Sequence, residues 1–90
     1  MISVDYGLVA RTIEKYGEGK QLIVGIEELS ELQKEICKAL RGKADRDHIV
    51  EEFGDVLIML SNIKQIYNIS DDEIISVIQT KQQRTIDRML

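Results

Sequence analysis

Proline and tryptophan are absent from this 90-residue chain. Without proline, nothing in the sequence forces a kink or a break on a helix. Cysteine occurs once, at Cys37, so no disulfide can close within one chain and no paired-thiolate metal motif exists. A lone thiol suits a reducing compartment, and a cytoplasmic location is expected. Long apolar runs are missing too. The longest, "VLIML" at residues 56–60, falls far short of the ~20 residues that span a bilayer. The opening stretch, "MISVDYGLVARTIEKYGEGK", has no basic segment leading into an apolar one, so no signal peptide is read there. Positive charge is in deficit: 12 Lys and Arg stand against 16 Asp and Glu, a formal net charge of −4. The basic residues are dispersed, and no nucleic-acid partner is expected. Aromatic residues make up only 4 %.

What remains is rich in Leu, Ile, Glu, Lys and Gln, all good helix formers. Apolar residues recur at threes and fours rather than alternating, which predicts an all-α fold without strands. The first helix is expected from about Val4 to Tyr16, stopped by Gly17 and Gly19. The second runs from about Gln21 to Leu40 or Arg41, with Leu22, Ile26, Leu29, Gln33, Ile36 and Leu40 as its inward stripe. Gly42 ends it. Asp45 or Asp47 caps the third, which reaches Tyr67 along Ile49, Phe53, Val56, Leu60, Ile63 and Tyr67. Ser70 and Glu73 form a capping box that opens the fourth, which runs to the C-terminus. The whole chain, 1–90, reads as one domain, a small antiparallel bundle of about four helices. A chain this short buries only roughly 60–65 % of its unfolded surface. The third helix is also apolar nearly all round from Val56 to Leu60. Completion of the bundle by self-association is therefore expected.

Two acidic stretches carry the chemical signal, "EELSELQKEICK" at 27–38 and "EEFGD" at 51–55. Helical positions i and i+3 share a face, which selects Glu28 with Glu31 and Glu52 with Asp55. Glu35 extends the first ridge by one turn. Four oxygen donors without histidine or thiolate suit Mg²⁺ or Mn²⁺. A di-iron site would want Glu-x-x-His pairs, and the single histidine, His48, precedes Glu52 instead of following it. Both pairs lie toward the starts of their helices, and an antiparallel hairpin does not obviously bring two starts level. The spacing leaves open whether the pairs meet within one chain or across a dimer. The bland alternative is a pair of solvated acidic ridges.

"KQLIVGIEELSEL", a basic turn, then "HIVEEFGDVLIML" resembles the MazG-like all-α nucleoside triphosphate pyrophosphohydrolases, whose signature is ExxE followed by ExxD. Here the two motifs are 20 residues apart. The resemblance is strongest over residues 16–89 and extends to the last helix with its "KQQR". It implies a Mg²⁺-dependent enzyme, with Mn²⁺ as a substitute, that cleaves between the α- and β-phosphates to give a monophosphate and pyrophosphate. It also implies a dimer or tetramer in which two chains build each site. Glu28, Glu31, Glu52 and Asp55 would hold the metal, and Glu31 would orient or deprotonate the attacking water. Lys81 and Arg84, one turn apart on the last helix, would meet the phosphates, with Arg88 beyond them. Gln21 would face the base or sugar. Residues 1–15 carry no such resemblance.

Other residues read more plainly. Lys34 and Lys38 fit either reach toward phosphate or, better, a role balancing the acidic ridge, Cys37 fits a small buried side chain, and Gly25 and Gly54 fit close helix approach. The scarcity of aromatics leaves only Tyr6, Tyr16, Tyr67 and Phe53 for base stacking. Two rival readings are a phosphoribosyl-ATP pyrophosphohydrolase, which shares scaffold and bond, and a non-catalytic helical dimerisation module.

Overall fold

The computed structural model describes residues 2–90. Four helices follow in order: α1 (Tyr6–Tyr16), α2 (Glu18–Leu40), α3 (Arg46–Ile66) and α4 (Asp71–Met89). No strand occurs among the described residues.

Side chains and short turns fix the helix ends. The Asp5 carboxylate accepts from the Leu8 N–H at 3.0 Å to start α1, and Asp45 accepts from the His48 N–H at 3.2 Å to start α3. Each thereby satisfies a donor the first helical turn leaves free. At α4 the capping box is complete: the Ser70 hydroxyl accepts from the Glu73 N–H, and the Glu73 carboxylate accepts from the Ser70 N–H at 2.7 Å. Gly17 alone separates α1 from α2, at φ 93°. That left-handed turn suffices, so α2 begins at Glu18, earlier than the expected Gln21, and Gly19 sits inside its first turn. Two ends share one stop. After α2, the Lys43 N–H donates to the Lys38 carbonyl and Gly42, at φ 81°, donates to Ala39; after α3, Ile69 donates to Lys64 and Asn68, at φ 51°, donates to Gln65. This paired pattern closes a helix on a left-handed residue, and asparagine can stand in for glycine there.

Helices α2 and α3 form an antiparallel hairpin, with α1 laid across both. They approach closely at Gly25, where a Cβ would meet Ile63 Cδ1 at 3.7 Å and Met59 Cβ at 3.8 Å. Gln65 ties α1 down by donating to the Tyr6 carbonyl at 3.0 Å. Val9 and Val56 are the buried apolar side chains, accompanied by the polar Gln21, Glu35, Ser61 and Asn62.

Three expectations change here. The α2 stripe of Ile26, Leu29, Gln33, Ile36 and Leu40 faces outward, and the seam is lined instead by Gln21, Gly25 and Glu35. The helix carries two inward-type faces, and one chain can cover only one of them. Cys37 lies beside that outward stripe and is exposed, not buried. Gly54 does not serve close helix approach within the chain, because nothing described beyond its chain neighbours and its own helix backbone lies within 4 Å of where its Cβ would stand.

Helix α4 stands apart. Lys64 pairs with Asp71 at 3.0 Å, but every residue of α4 is exposed and the helix does not pack on α1–α3. The radius of gyration is accordingly 15.7 Å, against about 12 Å for a compact domain of this length.

Candidate metal centre

The acidic motifs meet near mid-helix. Glu28 lies close to the midpoint of α2 and Asp55 close to that of α3, and an antiparallel hairpin lays middle on middle. Carboxylate oxygens of Glu28, Glu52 and Asp55 all lie within 4.8 Å of one another. All three side chains are half-buried. The question left open by spacing alone is thereby answered for these three: they converge within one chain.

The geometry leaves electrostatic stress. Partial burial, first, then hydrogen bonding to Glu52 and the charge of Asp55 push the Glu28 carboxyl up to about 7 from 4.5. Three carboxylates this close cannot all ionise without mutual repulsion. Glu52 adds a second sign: its Oε2 is buried and has no hydrogen-bond partner. A buried carboxylate oxygen without a partner is costly. A divalent cation would relieve both, and three hard oxygen donors fit one that completes its shell with water and phosphate.

The remaining sequence-derived residues fall elsewhere. Glu31 is exposed and is not in the three-carboxylate group. Lys81 and Arg84 are exposed on α4, clear of the hairpin, so a single chain does not bring them to the carboxylates. Arg88 is exposed one turn further on, and Lys34 is exposed on α2. Gln21 is buried and lines a cavity of about 400 Å³ between the N-terminal segment, α1 and α3. Gly54, next to Asp55, lines the same cavity.

Two residues of this region escaped the sequence reading. Asn62, 1 % exposed, lines the cavity, donates through Nδ2 to the Ile58 carbonyl at 3.1 Å and leaves Oδ1 without a partner. Its signal was an amide two turns beyond Asp55, shortly after the apolar run of α3. Glu35 is buried, not merely the end of a ridge; Lys38 Nζ stands 3.4 Å and His48 Nδ1 3.9 Å from its Oε1. Lys38 thus balances the acidic ridge, as expected.

The MazG nucleotide pyrophosphohydrolase domain, as a sequence family, matches residues 19–89. The chain belongs to that family. No curated protein and no solved structure matches it. The MazG match begins in the first turn of α2, so the N-terminal segment and α1 lie outside it although they wall the cavity. MazG membership points to nucleotide pyrophosphohydrolase activity with a divalent metal, and the three-carboxylate group is a donor set of the required kind. No helix among the described residues is long and apolar enough to cross a membrane.

Proposed function

We propose that the protein is a cytoplasmic, Mg²⁺-dependent nucleoside triphosphate pyrophosphohydrolase, with Mn²⁺ able to substitute, releasing a nucleoside monophosphate and pyrophosphate. The observation that carries this reading is the convergence of Glu28, Glu52 and Asp55, with the Glu52 Oε2 buried and unpartnered.

Glu28, Glu52 and Asp55 would hold the cation. When bound, it would neutralise charge growing on the phosphates in the transition state. Glu31 lies one turn along α2 from Glu28, and its exposure keeps it in contact with water. There it would orient the attacking water and take its proton. Gln21 would lie at the nucleoside end, in the cavity that Gly54 also lines. Lys81 and Arg84 would bind the β- and γ-phosphates, and because α4 stands clear of its own hairpin they would come from a second copy. Large exposed apolar residues on α2, α3 and α4 support a homodimer or a tetramer of dimers.

The test is pyrophosphate release from a panel of NTPs and dNTPs, with and without Mg²⁺, beside a Glu52→Gln variant. Metal-dependent monophosphate and pyrophosphate, lost in the variant, is the expected result. No release from any nucleotide by folded protein sinks the reading, and phosphoribosyl-ATP is the next substrate to try.

A further inference from the structure

Glycine is the poorest helix former apart from proline, so a glycine in mid-helix asks for a reason. Gly25 has one in its contacts with Ile63 and Met59. Gly54 has no such contact, since nothing described beyond its chain neighbours and its own helix backbone comes within 4 Å of a Cβ built there. Nor is it a solvated position: it is half-buried and lines the cavity. Leu57 and Ile58, one turn on along the same face, line that cavity as well. The residue bonded to Gly54 on its other side is Asp55, one of the three clustered carboxylates. The missing side chain therefore leaves a gap in the cavity wall at the residue bonded to one of the three carboxylates.

We propose that Gly54 is a clearance residue of the nucleotide site: the room above its Cα is occupied by the sugar of the substrate, between phosphates at the carboxylates and a base in the cavity. This rests on the pyrophosphohydrolase reading and adds to it a residue that sets what the site admits. The base end has two buried polar groups, the Gln21 side chain and the unpartnered Asn62 Oδ1, which can accept from a base N–H. Ile2, Val4, Leu8 and Val9 supply apolar lining, all outside the matched family residues.

The experiment compares wild type, Gly54→Ala and Gly54→Val. It measures melting temperature, solution size, KM for the triphosphate turned over fastest, and separate affinities for the matching monophosphate and for Mg²⁺-pyrophosphate. The alanine variant is expected to melt higher than wild type, since a helix glycine without a packing role has been replaced. The valine variant is expected to raise KM and weaken the monophosphate by tenfold or more, while pyrophosphate affinity and solution size stay unchanged. Should valine prevent folding, alanine decides, with a KM raised about threefold despite the higher melting temperature. Wild-type KM and monophosphate affinity in both variants overturn the proposal. So does an equal loss for monophosphate and pyrophosphate, or a loss that follows dissociation of the assembly, which would make Gly54 an interface residue. A folded wild type that neither turns over nor binds any nucleotide defeats the underlying reading itself and takes this one with it.

Discussion

At the scale of single residues, the carboxylate group behaves as a site under strain. Glu28 has its carboxyl raised to about 7 from 4.5 by partial burial and by Glu52 and Asp55. The sign of the consequence follows from linkage: the folded state holds a proton that the unfolded chain has already released. In metal-free protein this stabilisation is fully present below pH 4.5 and is lost as pH rises through about 7. Melting temperature without metal is therefore expected to fall between pH 5 and pH 8, and Glu28→Gln is expected to flatten that slope. A divalent cation competes with the same proton, so its affinity is expected to rise with pH up to about 7 and then level off. Calorimetric titration of Mn²⁺ at several pH values reads this directly, and a pH-independent affinity refutes it. Glu52→Gln supplies a second check at this scale. Replacing a buried, unpartnered carboxylate oxygen with a neutral amide is expected to leave the metal-free melting temperature unchanged or higher while abolishing Mn²⁺ binding. Wild-type protein that binds no ion, with a variant altered only in stability, would favour the non-catalytic module.

Among whole helices, starts and stops were readable because they depend on local chemistry. Asp45, Ser70 with Glu73, and Gly42 each act within a few residues of themselves, and each does as its pattern predicts. The stop at Asn68 was less visible because asparagine enters the left-handed region less often than glycine. The direction in which α2 faces was not readable. Its stripe from Ile26 to Leu40 and its line from Gln21 through Gly25 and Glu28 to Glu35 are both continuous faces, and periodicity does not say which one the chain covers itself. The carboxylate meeting was obscured for a related reason: counting from helix starts hid the fact that Glu28 and Asp55 are both near mid-helix. The fourth helix carries its own prediction. Nothing packs along α4 within the chain, and most of a helix's stability in a protein comes from tertiary packing. Its capping box is therefore expected to matter more than a cap on a buried helix. Ser70→Ala costs a helix about 1 kcal/mol, which is expected to fray α4 and lower the far-UV circular dichroism signal without unfolding the α2–α3 hairpin. An unchanged spectrum would mean that another surface holds α4 in place.

For the whole molecule, the accessible area is 7207 Å², whereas a folded monomer of this mass exposes about 5,400 Å². The excess, about 1,800 Å² per chain, is more than the roughly 800 Å² each partner contributes to a standard interface. Ile26, Ile36 and Leu40 on α2, with Phe53 and Leu60 on α3, supply apolar surface of the kind an obligate interface uses. Ile36→Asp is accordingly expected to shift the molecular mass in light scattering from a multiple of the chain toward 10.3 kDa. The stronger prediction couples assembly to chemistry. If Lys81 and Arg84 serve the carboxylates of a partner, Glu52→Gln and Arg84→Ala each empty every site of a homodimer of something it needs. In a mixed dimer the two defects fall together on one site and leave the other intact. After an equal mixture of the two inactive variants has been unfolded and refolded together, random pairing in a two-fold dimer restores about one quarter of wild-type activity. Were Arg84 to act on its own chain's carboxylates, every site would carry one defect and the mixture would stay as inactive as its parts. The measurement thus decides whether α4 projects from its own hairpin in order to complete another.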